Sequence, residues 1–267
     1  MKKFILLILV LNGACASGPK AVDSGAISNT HVANFLLPAY TIHDASRRES
    51  IWSTGYVVWL TKEDKTSGSI PFLDKRGRHL GVRLSQAEWC KSAMEGTAYV
   101  QMENGSVRTF NYAGMLPDKV TDCSNIFPSA DPEKIAGVSR SAFFEVPDDA
   151  KYGLGAKIEY RLVPYRSIAV DRNTFDLGSV LYIPKLRGTS IELPDGRQVV
   201  HDGYVVAVDT GGMIRDKQID FFKGPNRNDA PPATIRSTQD QLLDAYIVTD
   251  PELREYLLRP HQRFIGS

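Results

Sequence analysis

From Ile51 onward the chain alternates short apolar runs with polar turns at a spacing that suits strands, and helical periodicity is confined to two places. "GYVVWL" (55–60) predicts a strand, while "AYVQM" and "VRTFNY" flank an Asn104-Gly105 turn and predict a hairpin. Between them, "LSQAEWCKSAMEG" carries a capping box: Ser85 at the N-cap, Glu88 three residues on and Gly96 as the stop give a helix over about 86–94. Residues 115–156 hold few clean periodicities and many Pro, Asp, Gly and Ser, which predicts an irregular excursion. Strand signals then follow closely in "YRLVPYRSIAV", "SVLYIP", "SIELPDGRQVV" with its Pro-Asp-Gly turn, "GYVVAV" and "QIDFF". Near the end Asp250 caps a helix with Pro251 at its first position, running to Pro260, with Leu253, Leu257 and Leu258 as its packing face. Many short strands with few helices predict a mainly β fold, a closed or nearly closed barrel with short helices and irregular insertions.

At the start of the chain the apolar pattern means something else. Lys2 and Lys3 followed by "FILLILVL" (4–11) form a charged n-region and an apolar segment too short to span a bilayer, so the chain reads as exported. Two processing routes fit "NGACASG". Cys15 behind two small residues is similar to a bacterial lipobox, where that Cys is lipidated, and Ala16 fits an ordinary A-x-A cleavage. The short apolar segment with a Cys at its boundary favours the lipoprotein, hence the periplasm and the outer membrane, with a lipid as the sole membrane contact. Residues 1–16 are then a signal peptide, 17–48 a Ser/Gly/Ala/Asn-rich linker, 49–259 the barrel with its insertions and 260–267 a tail.

Composition adds mainly exclusions. With 42% hydrophobic and 24% charged residues and a net charge of +1 over 267 residues, the chain has no electrostatic bias toward nucleic acid. Export and an even pair of remaining cysteines make a Cys90–Cys123 disulfide the default, two separate buried thiols being the alternative. His31, His43, His79, His201 and His261 are scattered and no Cys/His cluster has zinc spacing, so neither a metal nor another cofactor is expected.

One stretch carries candidate chemistry. In "DTGGMIRDKQIDFF" (209–222) Asp209 ends one predicted strand and Asp220 lies in the next. Gly211 and Gly212 between them permit φ > 0 or a close backbone approach. By themselves, strand-end aspartates and paired glycines are ordinary turn chemistry.

The order of phrases says more. "YRSIAVD" (165–171), "LGSVLYIP" (177–184), "HDGYVVAVDTGG" (201–212) and "KQIDFF" (217–222) together resemble the 3D domain, a double-psi β-barrel named for three aspartates and shared with MltA-type lytic transglycosylases. The aspartates correspond to Asp171, Asp209 and Asp220. "GVRLSQAEWC", "MEGT", "FNYAG" and "DCS" extend the resemblance over about residues 50–223. One turn departs from it: the family's Gly-Gly-Ala-Ile-Lys-Gly is here Gly-Gly-Met-Ile-Arg-Asp, with Arg215 and Asp216 last, and Asp tolerates the left-handed region such a turn needs. The chain also looks too short for the large second domain of the MltA enzymes.

The resemblance implies a lytic transglycosylase acting on peptidoglycan glycan strands. Asp220 would protonate the oxygen between N-acetylmuramic acid and N-acetylglucosamine, then deprotonate the muramic C6 hydroxyl, which closes a 1,6-anhydro ring. An intramolecular attack needs no second catalytic carboxylate, whereas a hydrolase needs one at about 5 Å, or at roughly 6.5–9.5 Å with water between. Asp220 must hold its proton near neutral pH, and burial beside Ile219, Phe221 and Phe222 with a like charge at Asp209 pushes that way. Asp171 caps its turn and is a lesser candidate for sugar contact, as are Thr54 and Tyr56, while Gly211 and Gly212 let a sugar approach the backbone. The alternative is a glycan-binding or wall-loosening module that uses the barrel without cutting.

Overall fold

The computed structural model describes residues 35–43, 47–225 and 231–263; the processing segment with Cys15 lies outside the described residues. Strand β1 (Arg48–Tyr56) is followed after two residues by β2 (Trp59–Lys62). An antiparallel pair, β3 (Ile70–Leu73) and β4 (His79–Leu84), leads to α1 (Gln86–Glu95), then to β5 (Thr97–Gln101) and β6 (Val107–Met115). Helix α2 (Pro132–Val138) and β7 (Ser141–Glu145) come next, followed by β8 (Ser167–Val170) and β9 (Val180–Tyr182). A small hairpin of β10 (Ser190–Glu192) and β11 (Gln198–Val200) precedes β12 (Tyr204–Asp209), β13 (Gln218–Phe222), β14 (Leu243–Ile247) and α3 (Pro251–Leu258).

Six strands close into a barrel in the order β1-β13-β8-β12-β9-β14. The pairs β1/β13 and β8/β12 are parallel and the other four antiparallel, the mixed topology of a double-psi β-barrel. Alternate residues fill the interior, among them Ile51, Ile168, Leu181, Val205, Phe221 and Ala245. The intervening residues of β9 and β12, such as Val180, Tyr204 and Val206, are buried as well, in a second cluster with Leu257 of α3. Strands covered on both faces read as unbroken apolar runs. Each fully buried Val, Ile or Phe contributes roughly 1.5–3 kcal/mol.

The 55–60 segment is two strands, not one. Val58 N–H donates to Gly224 O (3.1 Å) at the barrel edge, and Trp59 pairs with Ala98 in a separate four-stranded sheet, β2-β5-β6-β7. Both valines at the break are buried, so the apolar pattern runs straight through it. Nor is 115–156 wholly irregular: Asp131 caps α2 with Pro132 at its first turn, and β7 pairs along β6. This insertion has its own core. Phe72 stacks on Phe143 at 4.0 Å, Trp89 meets Phe143 edge-on, and Cys90 and Cys123 are joined in a disulfide. Beside the barrel the chain thus builds a second, smaller sheet. Helix α1 starts and stops where expected, with Ser85 Oγ accepting from Glu88 N–H and Gly96 left-handed (φ 76°). Its Glu88 carboxylate accepts from Trp59 Nε1–H (2.8 Å) and ties α1 to the strand leaving the barrel.

Both ends of the described chain pack more closely than a linker and a tail. Phe35 lies under the Arg166 guanidinium (4.2 Å), Leu37 N–H donates to Asp202 Oδ2 (3.3 Å) and Pro38 O accepts from the Tyr204 hydroxyl (3.0 Å). His261 is buried and Arg263 pairs with Asp149 (2.8 Å). The apolar "FLLPAY" patch is what makes the first segment adhere to the barrel.

Candidate active site

Strand β8, buried along its whole length, lies between β12 and β13. Ala169 of β8 is level with Asp209 on one side and with Asp220 on the other. The two carboxylates therefore share one row across three strands, their backbones about 10 Å apart by two strand spacings. Asp209, Ala169 and Asp220 form the floor of a cleft of about 940 Å³, and the methyl of Ala169 leaves the space between the acids open.

Asp209 owes its position to an irregularity in β12. The register with β8 slips between Ala207 and Asp209, leaving Val208 as the extra residue, a bulge of the kind that re-aims the next side chain. Val208 O accepts from Ala156 N–H (3.0 Å), and a Cβ on Gly155 would stand 2.2 Å from that same oxygen. Only glycine fits at 155. Neither Gly155 nor Ala156 stands out in the sequence, because what selects them is a carbonyl some fifty positions away.

Both oxygens of Asp209 are engaged: Oδ1 accepts from Thr210 N–H (2.8 Å) and Oδ2 from the Tyr56 hydroxyl (2.9 Å). Burial raises its pKa to about 6; the two hydrogen bonds oppose that shift and the nearby charge of Asp220 adds to it. At neutral pH the carboxylate is thus still mostly ionised. Tyr56 is pushed well above the ordinary phenol range, first by burial and then by the charge of Asp209, so it remains a donor. Its ring packs on Phe222 at 5.0 Å.

The other expected residues separate into two groups. Tyr56, Gly211 and Gly212 line the cleft beside the acids. Neither glycine has a positive φ; in this turn that conformation belongs to Asp216 (φ 51°), the residue that departs from the family's glycine. Asp171 faces the turn from outside, Oδ1 accepting from Asn173 N–H and Oδ2 from Asp216 N–H, both at 2.9 Å. Those donors hold its carboxyl below the usual range, so it acts as a charged turn clamp and is not part of the cleft lining. Arg215 closes the same turn on Gly212 O (2.8 Å), and the added carboxylate of Asp216 is exposed. Thr54 is level with Asp220, but its Oγ1 accepts from Gln218 Nε2 (2.9 Å) within the sheet.

The inserted sheet supplies the opposite wall, with Glu95, Thr97, Asn111, Tyr112 and Met115. Asn111 fixes the two walls together: its Oδ1 accepts from Leu154 N–H (3.0 Å) and its Nδ2 donates to Thr97 Oγ1 (3.0 Å) and Leu154 O (3.3 Å). Among the described residues no three His, Cys, Asp or Glu side chains are placed to hold a metal ion, and no helix is long and apolar enough to cross a membrane.

A mixed six-stranded barrel with paired aspartates on one row is the architecture of a double-psi β-barrel carrying a polar cleft. Residues 166–230 match the family model of the 3D domain. Among solved structures it is similar to the E. coli MltA with bound chitohexaose (15% identity over 74% of this chain and 71% of that one, TM-score 0.47). It is similar also to the membrane-bound lytic murein transglycosylase from Agrobacterium tumefaciens (15% identity, 79% and 78%, TM-score 0.48) and to MltA from Neisseria gonorrhoeae (13% identity, 75% and 72%, TM-score 0.43). No curated protein matches the chain.

Proposed function

We propose that this protein is a peptidoglycan lytic transglycosylase that cleaves the β-1,4 bond between N-acetylmuramic acid and N-acetylglucosamine and releases 1,6-anhydromuramic ends. The observation that carries the reading is the placement of two carboxylates on one cleft floor, Asp209 and Asp220 both level with Ala169. Asp209 has both oxygens engaged by donors and stays mostly ionised, which suits a fixed negative charge better than a nucleophile. Asp220, two strand spacings across the sheet with Ile219, Phe221 and Phe222 buried around it, is the proton carrier. As acid it protonates the glycosidic oxygen while the charge of Asp209 disfavours early loss of the proton. As base it then takes the proton of the C6 hydroxyl as that oxygen attacks C1. The attacking group belongs to the substrate, so one carboxyl serves both steps. Cys15 is the proposed lipidation site, giving an outer-membrane protein that faces the periplasm.

Mass spectrometry of purified peptidoglycan incubated with the protein lacking residues 1–16 tests this. Anhydromuramic products are expected, and Asp220→Asn is expected to lower their formation by roughly 10²–10⁴-fold. Reducing-end muramic acid as the product would instead mark a hydrolase. Binding of wall material with no release of fragments would mark a glycan-binding module.

A further inference from the structure

A second pocket, of about 530 Å³, adjoins the cleft at Tyr112, which lines both. The turn between β3 and β4 builds it, and its charge is opposite to that of the cleft. Asp74 organises the turn: Oδ1 accepts from Arg76 N–H (2.8 Å) and Arg78 N–H (2.9 Å), and Oδ2 accepts from Arg78 Nε (2.7 Å). That carboxylate is matched by the Arg78 guanidinium, leaving Lys75 and Arg76 as the surplus positive charge. Lys75 is exposed and its side chain lies against the β6/β7 pair. The β6/β7 register slips between Tyr112 and Gly114, Gly114 takes φ +126°, and the stem of Lys75 lies where a Cβ would be, 2.9 Å from its Cε. The bulge and the glycine leave room for the Lys75 side chain, which lines the pocket together with Tyr112, itself 44% exposed.

The cleft itself is lined by Asp209, Asp220, Glu95, Asp131 and Glu133 against Lys134. An uncharged sugar backbone suits that lining, and an acidic substituent does not. A carboxylate carried on the glycan is repelled from the cleft and attracted past Tyr112. Accepting the transglycosylase reading above, we propose that the Lys75/Arg76 pocket receives a carboxylate of the peptide stem borne by the glycan, so that the protein prefers stem-bearing strands to bare ones. Tyr112 is the threshold over which the stem leaves the cleft.

The test is a binding comparison in the Asp220→Asn background, which needs no turnover. Isothermal titration is run with soluble glycan strands carrying intact peptide stems and with the same strands stripped by an amidase to the lactyl carboxylate. Stem-bearing strands are expected to bind about tenfold tighter, the worth of two partly exposed charge contacts. Adding Lys75→Glu and Arg76→Glu is expected to erase that preference without altering affinity for stripped strands. Lys75→Ala with Arg76→Ala, checked for unchanged thermal unfolding, is expected to do the same less completely. Equal binding of both strands by the parent overturns the proposal, as does a preference that survives charge reversal. So does tighter binding of stripped strands, which would assign the pocket to the lactyl group. Loss of anhydromuramic products in the turnover experiment bears on catalysis alone, since the preference is read without it.

Discussion

The barrel and the inserted sheet face each other across one cleft and are stabilised in different ways. In the barrel, apolar residues cover both faces of β8 and β12, and a buried ion pair, Arg166 with Asp202 (2.7 Å), is wrapped by Phe35, Leu37 and Tyr204. In the sheet, a smaller aromatic core around Phe72, Trp89 and Phe143 is cross-linked by Cys90 and Cys123. The two carboxylates proposed for the reaction stand on the more deeply buried framework. The sheet contributes Asn111 and Tyr112 and the β3–β4 pair the basic turn, the surfaces to which the proposals above give recognition. The proposed chemistry and the proposed recognition would then lie on separately stabilised walls.

The largest effect expected from breaking this arrangement lies in the barrel. Asp202→Ala removes the carboxylate paired with the buried Arg166 guanidinium, whose residue is 1% exposed, and an acceptor for the Leu37 and Tyr204 amides. Chemical denaturation should show a loss of about 3–5 kcal/mol. Replacing both partners together, Arg166→Met with Asp202→Leu, should recover most of it, because the cost is an uncompensated buried charge; a double variant as unstable as the single one would contradict that cause.

Next comes the sheet. The disulfide closes a separation of 33 residues, and Cys90→Ser with Cys123→Ser should cost about 3 kcal/mol. Hydrogen exchange should rise in β2, β5, β6 and β7 while β8 and β12 keep their protection. A uniform rise over all of them would mean that the two walls do not have separate stabilities.

How much of this was readable in the sequence follows the same division. Helices α1 and α3, the β5–β6 hairpin and the strands β12 and β13 carry local signals, and the paired aspartates follow from their resemblance to the 3D domain. Strand β14 went unread: "LDAYI" (243–247) is neither alternating nor continuously apolar, and its partners begin at Arg48 and Leu181, far away in the chain. Helix α2 had its Asp131-Pro132 start signal but spans only seven residues, too few for a period to show. The bulge at Val208, the glycine at 155 and the Asn111 clamp are set by tertiary contacts alone. The sequence therefore names the acids and not the backbone that aims them.

The smallest effect expected is on pH dependence, and it bears on the barrel wall alone. Burial raises Asp209 to about 6 and so favours its protonated form, yet the proposed role needs the charge. As pH falls through about 6, Asp209 gains a proton, ceases to accept from the Tyr56 hydroxyl as an anion and no longer holds the proton on Asp220. At pH 5, one unit lower, about a tenth of the molecules keep the charge, so kcat/KM should be about tenfold below its plateau, equivalent to about 1.4 kcal/mol. Above pH 7 this limb is flat, because Asp209 is then almost fully ionised. Asp209→Asn cannot ionise, so its rate should be low throughout and the limb near 6 should vanish from its profile. A wild-type midpoint near 4, the ordinary carboxylate range, would mean that burial does not govern Asp209 during turnover. A limb at 6 that persists in Asp209→Asn would assign the titration to another group, with Asp220 the first to examine.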